Sequence, residues 1–397
     1  MKITKRILWL LPLLALQVSS CGDKLIEPAA SPSAAPVAPK PPPPAPVPEY
    51  RGPATRPFLM GFTYWPADLS EEGVALAREY ALAHGDIVAI SFIGGIPWPE
   101  ALEGKPFSKN VQELMRDRPG SGKKLLLSIS PLNKDRRGLA PYWGDSENQP
   151  LPRPWDKEPL NSARVKRAYA NFVLRAIEAM RPDYLAIGVE SNVLLSRDAG
   201  KWRQFVDLHR DTYAAVKRAH KALPVFFTTE VLHYKRLARD AKSSLQEKEV
   251  GELMRYSDWF VMSLYPHMSP EVPRPVPANF LDFATRFKKA IAVAESGMNS
   301  RSVELKSYGT TLHGSDADQR QFTELLLKTA VRDSYEFVIN FATTDSERLV
   351  AQLQPPVDDI ARIWAFTGLQ TSDRRPKPAA AVWEGFFRAR YEPPKWW

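Results

Sequence analysis

The sequence has a single cysteine and few histidines, and several common catalytic motifs are missing from it. Cys21 is the only cysteine in 397 residues, so no intrachain disulfide can form. The six histidines show no HxH or HExxH spacing, which argues against a metal centre. The chain has no GxSxG elbow for a serine nucleophile and no Gly-rich nucleotide fingerprint after its first apolar run. The sequence therefore predicts neither a metal nor a cofactor.

The charge pattern gives no indication of a nucleic-acid partner. The formal net charge of +9 becomes +6 without Lys2, Lys5 and Arg6, and the remaining basic residues are interspersed with nearly as many acidic ones. Nucleic-acid binding usually needs a basic stripe with interleaved aromatic residues, and the sequence has none. A content of 44% hydrophobic and 11% aromatic residues instead indicates a globular protein with a large core.

The N-terminus has the pattern of an export signal. The basic stretch KITKR precedes the apolar run Ile7 to Leu16, which predicts a secretory signal peptide that is too short to span a membrane as a helix. The residues VSS before Cys21 resemble the bacterial lipobox, which implies cleavage after residue 20 and lipidation of Cys21. The alternative is a buried structural cysteine. We expect a lipoprotein of the bacterial cell envelope, anchored to a membrane, with the outer membrane or cell surface favoured.

A proline-rich segment separates the predicted anchor from the rest of the chain. Twelve of the 37 prolines lie between Pro28 and Pro57, mixed with alanine, serine and valine. Such a composition favours polyproline II geometry, which rises about 3.1 Å per residue. We therefore predict a lipidated, semi-rigid linker over residues 21–56, after a signal peptide at 1–20.

The remainder of the chain alternates short apolar runs with longer amphipathic segments. The runs are almost continuously hydrophobic, as is typical of parallel strands covered on both faces. The segments between them, such as residues 163–180 and 199–220, have apolar residues at helical spacings. This alternation predicts an α/β fold, a (β/α)8 TIM barrel over residues 57–397, with a doubly wound open sheet as the alternative. The predicted strands are 58–64, 86–92, 124–130, 184–190, 224–230, 259–265, 290–295 and 336–342.

Two of these runs end on a glutamate. Glu190 ends the fourth run and Glu295 ends the seventh. Because the carboxyl ends of barrel strands face the active site, both side chains are expected in one mouth. A pair of carboxyl groups about 5–5.5 Å apart is what a retaining glycosidase uses, one as nucleophile and the other as general acid and base.

The local sequences around these glutamates resemble those of a known group of enzymes. GVESN, AESG and SLYPH are similar to motifs of the clan of retaining glycoside hydrolases with (β/α)8 barrels, with some likeness to the endo-β-1,4-galactanases. The resemblance covers about Pro57 to Phe387. It implies that Glu190 is the acid/base, that Glu295 is the nucleophile, and that Tyr265 donates a hydrogen bond to the nucleophile.

One position departs from the pattern of the clan, and several further residues are candidates for binding a carbohydrate. The clan has asparagine directly before the acid/base, where this chain has Val189, and Asn192 is a candidate replacement. Loop aromatic residues can stack on the apolar faces of sugar rings. A structural role is the alternative for each of the other candidates, which are Trp65, Trp98, Trp364, His267 and Glu230.

Two functions of different classes follow from these patterns. The first is an exported, membrane-anchored glycoside hydrolase that cleaves poly- or oligosaccharides by a retaining two-glutamate mechanism. The second is a carbohydrate-binding or scaffolding lipoprotein that has the barrel without turnover, which the substitution at Val189 allows. Facing carboxyl groups in an open groove favour the first function.

Overall fold

The computed structural model describes residues 49–120, 122–241, 243–353 and 357–394. The predicted signal peptide, Cys21 and most of the predicted linker lie outside these ranges. Within them, no helix is both long enough and apolar enough to span a membrane.

The described chain folds into a parallel barrel. Each strand pairs in parallel with its neighbours in chain order, and the last strand pairs with the first. All eight apolar runs contain a strand, so the TIM-barrel prediction is confirmed and the open sheet is wrong. The strands are β1 Leu59–Trp65, β2 Ile87–Phe92, β3 Lys124–Ile129, β4 Tyr184–Ala186, β5 Val225–Phe226 with Thr228–Glu230, β6 Phe260–Leu264, β7 Ile291–Ser296 and β8 Phe337–Ala342.

The fifth strand is interrupted at Phe227. Its first segment pairs with β4 through Phe226 and Ala186, and its second segment pairs with β6 through Thr228 and Val261. The two segments thus contact different neighbours. Glu230 is the last residue of the second segment.

Helices surround the barrel on most of its circumference. Between β6 and β7 the long helix of an ideal barrel is replaced by a 3-10 helix, Asp282–Phe287, and a hairpin of Arg301–Leu305 and Thr310–Ser315 follows β7. The α-helices are α1 Glu71–Ala83, α2 Trp98–Glu103, α3 Lys109–Arg116, α4 Ala163–Met180, α5 Val193–Arg197, α6 Ala199–Ala219, α7 Val231–Tyr234, α8 Gln246–Leu253, α9 Asp316–Arg332, α10 Glu347–Ala351, α11 Val357–Arg362 and α12 Pro378–Phe387.

Helix α4 illustrates how the sequence determines these boundaries. The side chain of Ser162 accepts a hydrogen bond from the N–H of Val165 and caps the first turn, and Arg181 ends the helix in the left-handed conformation. Between these caps the apolar residues recur at helical spacing, and they are buried against the barrel. The helix coincides with the amphipathic segment 163–180 read from the sequence.

Strand side chains alternate between two cores. Leu59, Ile87, Leu126, Phe226 and their in-facing neighbours pack together inside the ring. The intervening residues pack against the helices in a second, larger cluster. The lower part of the barrel is therefore filled, and open space remains at the carboxyl ends of the strands.

The last residues of the predicted linker contact the barrel. Tyr50 stacks on Phe386 with ring centroids 6.0 Å apart, and Thr55–Arg56 pairs in parallel with a short strand that follows α12. Arg56 is buried and forms an ion pair of 2.9 Å with Asp86. The folded unit therefore includes residues before position 57, where the sequence placed its start.

Candidate active site

An open cleft of about 1430 Å³ lies at the carboxyl ends of the barrel strands. Loops that follow β2 and β3 form one wall of the cleft. Aromatic residues at or beyond the carboxyl ends of β1, β6 and β8 form the other wall. The strand ends converge on this cleft as they do in a TIM barrel. The lining residues at the strand ends include Trp65, Ser128, Glu190, Tyr265, Glu295 and Phe341.

Glu190 follows β4 and presents its carboxylate to the cleft. The hydroxyl of Ser263 donates to Oε1 at 2.7 Å, and the guanidinium of Arg136 donates to Oε2 at 3.0 Å. The backbone N–H of Glu190 donates to the hydroxyl of Thr228 at 2.7 Å. The φ of Glu190 is +49°, a left-handed conformation that is uncommon for residues other than glycine and that clusters at functional sites.

Glu295 lies in β7 beside this group. Its register partner on β6 is Ser263, the residue that donates to Glu190, so the two carboxyl groups approach each other over β6. The hydroxyl of Tyr265 donates to Oε2 of Glu295 at 3.1 Å. Burial and the negative charge of Glu190 together raise the pKa of Glu295 to about 7.

Tyr265 remains a hydrogen-bond donor to Glu295 across the ordinary pH range. Burial and the charges of Glu295 and Glu190 hold the pKa of its phenol well above the usual value. The donor role that the resemblance implies for Tyr265 is therefore compatible with its surroundings.

Aromatic side chains surround Glu295 on the wall opposite the β3 loop. Trp65 packs on Phe341 with centroids 5.2 Å apart, and Trp364 meets Tyr265 edge to face at 6.2 Å. Both tryptophans line the cleft. Within the described residues the indole N–H of each has no hydrogen-bond partner.

Trp98 does not belong to this group. It begins α2 and is fully buried, where its indole N–H donates to the carbonyl of Ala140 at 2.9 Å and its ring stacks on Trp155 at 5.6 Å. The prediction of a sugar-stacking role for Trp98 is corrected, because the first turn of α2 directs the ring into the core instead of the cleft.

Asn192 and Glu230 hold each other instead of lining the cleft. The amide of Asn192 donates to the carbonyl of Glu230 and to the side chain of Gln246, and its oxygen accepts from the N–H of Glu230. The carboxylate of Glu230 accepts from the N–H groups of Leu232 and His233 and caps α7. Both residues have structural partners, so Asn192 does not replace the asparagine missing at Val189.

His267 is likewise structural. It is buried after β6 and shares a hydrogen bond of 3.0 Å between Nε2 and the carbonyl of Ile363. Burial lowers the pKa of His267 to about 4, so its imidazole is neutral at physiological pH. It does not line the cleft, and its predicted substrate contact is corrected.

His233 gives a prediction about stability. Burial lowers the pKa of His233, but hydrogen bonds with Asp240 and Glu230 outweigh this effect and raise it to about 9. A raised pKa in the folded state stabilises the protein fully below the unfolded value of about 6.5, and this stabilisation is lost as the pH rises through 9. We expect His233→Gln to lower the free energy of unfolding by on the order of 1–2 kcal/mol at pH 6, and by less at pH 10.

Urea unfolding of both proteins at the two pH values measures this difference. The exposed His313, replaced in the same way, serves as the control. An equal loss at pH 6 and pH 10 would show that the charge of His233 contributes nothing.

Three residues that contact Glu190 were not predicted from the sequence. Ser263 lies two positions before Tyr265 and so faces the same side of the strand, a signal that the alternation of side chains contains. Thr228 has the same relation to Glu230. Arg136 lies in a loop without periodicity, and no pattern in the sequence marks it. Among the described residues no three or more histidine, cysteine, aspartate or glutamate side chains are arranged so that they could hold a metal ion.

The barrel and the carboxylates at the ends of its fourth and seventh strands define the class of TIM-barrel glycoside hydrolases. The family model "Glycosyl hydrolase family 53" matches residues 140–346, just over half of the chain. The chain therefore belongs to glycosyl hydrolase family 53 and is a glycoside hydrolase. No curated protein sequence matches it.

Two solved structures have a fold similar to that of this chain. An exo-beta-1,4-mannosidase, Op5Man5 from Opitutaceae bacterium strain TAV5, aligns with a TM-score of 0.56 and 16% identity over 86% of this chain, which spans 61% of the mannosidase. A GH5_18 protein from Streptomyces cattleya, in complex with Manb1-4GlcNAc, aligns with a TM-score of 0.58 and 15% identity over 85% of this chain and 82% of its own. At these identities the likeness establishes the fold.

Proposed function

We propose that this glycoside hydrolase cleaves poly- or oligosaccharides with retention of anomeric configuration, with Glu295 as nucleophile and Glu190 as acid and base. The observation that supports this proposal most directly is that the carboxyl groups of Glu190 and Glu295 lie on either side of the same residue of β6. Ser263 donates to Glu190 and lies in register with Glu295, and both glutamates line one open cleft.

The reaction proceeds in two steps. In the first, a carboxylate oxygen of Glu295 forms a bond to the anomeric carbon while the bond to the leaving oxygen breaks and Glu190 gives that oxygen its proton. In the second, Glu190 takes a proton from water, the water oxygen bonds to the anomeric carbon, and the ester to Glu295 breaks. Tyr265 keeps its hydrogen bond to Glu295 in the resting site and so orients the attacking carboxylate.

The wall of aromatic residues is suited to hold the sugar. Trp364 is half-buried in the wall and Trp65 is almost wholly buried, and both side chains line the cleft. An indole ring at the surface of a cleft can stack on the apolar face of a pyranose. We assign these two tryptophans to substrate binding.

The pH dependence of the rate tests the roles of the two glutamates. Because Glu295 must be ionised to attack, the rate is expected to rise with pH along an acid limb, which the burial of Glu295 moves above the usual carboxyl range. Because Glu190 must be protonated, the rate falls again along a basic limb. Because the two carboxyl groups interact, the apparent pKa values of the two limbs describe the pair and not either residue alone.

The variant Glu190→Gln separates the two limbs. With an activated substrate whose leaving group needs no proton, we expect the basic limb to disappear. We expect the acid limb to remain, because Glu295 must still lose its proton before it can attack. A wild-type basic limb in this variant would remove Glu190 from the acid/base role.

A panel of glycans tests the activity itself. The protein without residues 1–20 and with Cys21→Ser is incubated with β-1,4-galactan, β-1,4-mannan and other plant and microbial glycans, and released reducing ends are measured. Galactan is included because of the family resemblance, and mannan because two structurally similar proteins carry β-1,4-mannosidic names or ligands. Binding without release on every glycan would favour the non-hydrolytic lipoprotein, for which Val189 is the supporting observation.

The membrane anchor is a separate part of the proposal. We propose that lipid on Cys21 holds the enzyme in the bacterial cell envelope, with the proline-rich linker as spacer. In a bacterial host the full chain is expected in the detergent-soluble membrane fraction, and Cys21→Ser is expected to abolish lipid labelling and shift the protein away from that fraction. Equal labelling of both proteins would contradict this assignment.

A further inference from the structure

Arg136 makes an unusually complete set of contacts around Glu190. It lies in the loop after β3 with a φ of +51°, and its side chain is 16% exposed. Its Nε donates to the carbonyl of Val189 at 2.9 Å, and Nη2 donates to Oε2 of Glu190 at 3.0 Å. Nη1 donates to the carbonyls of Lys134 at 2.9 Å and Asn133 at 3.3 Å.

We propose that Arg136 is a positioning residue for Glu190, and that its positive charge at the carboxylate of Glu190 opposes the negative charge of Glu295. The proposal rests on the role of Glu190 given above and adds a residue to that site. Neither the family pattern nor the strand alternation points to this loop position.

The contacts of Arg136 fix the orientation of Glu190 and of the backbone beside it. Val189 has no polar side chain, but its backbone carbonyl is held by the same guanidinium that holds the neighbouring carboxylate. Ser263 occupies the other carboxylate oxygen, so both oxygens of Glu190 are fixed. Glu190 has a positive φ, and such a conformation persists only where the surrounding structure holds the residue. The contacts with Arg136 and Ser263, and the hydrogen bond from the N–H of Glu190 to the hydroxyl of Thr228, provide that support.

The guanidinium of Arg136 is held in a fixed position beside the carboxylate of Glu190. Its two contacts to loop carbonyls hold it in place, and a planar guanidinium forms strong, charge-assisted hydrogen bonds with a carboxylate. The ionisable groups around Glu190 are Arg136 from the β3 loop, Tyr265 after β6 and Glu295 on β7. Tyr265 stays neutral, so Arg136 is the cation that opposes the negative charge of Glu295.

Kinetics of three variants test the charge effect. An opposite charge in contact with a carboxylate lowers its pKa by about 1–3 units. We therefore expect Arg136→Met to move the basic limb of the rate upward by about one pH unit or more. Arg136→Lys keeps the positive charge but loses the planar guanidinium that contacts Val189 and Glu190 at the same time. We therefore expect this variant to keep the basic limb near its wild-type position and to have a lower kcat. The control is Arg137→Met, an exposed neighbour outside the cleft lining.

A second measurement is independent of hydrolysis. Protein labelled with ¹³C at the glutamate side-chain carboxyl carbons is titrated by NMR, and Glu190→Gln assigns the resonance of Glu190. The proposal expects this resonance to titrate at least one pH unit higher in Arg136→Met than in the wild type and in Arg136→Lys. Circular dichroism confirms that each variant is folded, and Arg136→Gln replaces the methionine variant if that variant does not fold.

The outcomes distinguish this proposal from the proposed function. The expected shift in a protein that hydrolyses no glycan would support the role of Arg136 and contradict the hydrolytic mechanism. Hydrolysis with unchanged titration of Glu190 in Arg136→Met would overturn the role of Arg136 and leave the mechanism intact. An equal shift in Arg136→Lys and Arg136→Met would also overturn it, because the charge is present in only one of them.

Discussion

Replacing Glu295 by alanine is expected to lower kcat by a factor on the order of 10⁴ to 10⁶, the range seen when a member of a catalytic group is removed from another hydrolase. The loss is large because no other carboxylate in the cleft replaces the bond that Glu295 forms with the anomeric carbon. Ser263, Tyr265 and Glu190 remain in place around the missing group, so the fold should be retained.

Glu190→Ala and Glu295→Ala are expected to differ in their activity on substrates with activated leaving groups. Removal of a general acid usually costs about 10² to 10⁴ in rate, and activated leaving groups reduce the cost. We therefore expect Glu190→Ala to keep measurable activity on activated aryl glycosides, whereas Glu295→Ala should lose it on every substrate. Glu304→Ala, an exposed glutamate on the hairpin after β7, serves as the control. Greater residual activity in the Glu295 variant would contradict the assignment.

Lys377→Met is expected to produce the largest loss of stability outside the cleft. Lys377 precedes α12 and is buried, with its ammonium 2.8 Å from the carboxylate of Asp345 and 2.9 Å from the hydroxyl of Ser300. Removing one partner of a buried ion pair leaves the other charge without compensation, which typically costs about 3–5 kcal/mol. Denaturant unfolding measures this loss.

The loss should depend on pH. Burial raises the pKa of Asp345 to about 7 even with Lys377 beside it, so this carboxyl group is neutral in the folded protein at pH 5. The variant is therefore expected to lose less stability at pH 5 than at pH 8, where the carboxylate is ionised. Adding Asp345→Asn to the variant should recover part of the loss at pH 8. Equal losses at both pH values would show that packing, not charge, is responsible.

The sequence predicted the strands well because a barrel strand is buried on both faces. A run such as Phe337–Ala342 is apolar throughout, and hardly any other environment accepts such a run between two amphipathic helices. Helix α4 coincides with the segment 163–180 that the spacing of apolar residues predicted, and the structure adds the caps at Ser162 and Arg181. The 3-10 helix between β6 and β7 was not predicted, because the proline-rich segment before it has no periodicity.

The candidate site was predicted only where it lies on strands. Glu190 and Glu295 follow from the rule that strand ends face the cleft, and Tyr265 was implied by the family resemblance. The structure brings the three together. For Trp98 the same rule failed, because that residue begins a helix and not a loop. Arg136 could not be found at all, since its contact with Glu190 depends on the path of a loop whose conformation the local sequence does not determine.

Covalent trapping tests the central claim most directly. The soluble protein is incubated with 2-deoxy-2-fluoro-glycosyl fluorides of galactose, mannose and glucose, which form the glycosyl ester quickly and hydrolyse it slowly, and the adduct is mapped by peptide mass spectrometry. The account predicts one added sugar, on the peptide that contains Glu295, and none in Glu295→Ala. An adduct on Glu190, or turnover of a natural glycan with inversion of configuration, would contradict it.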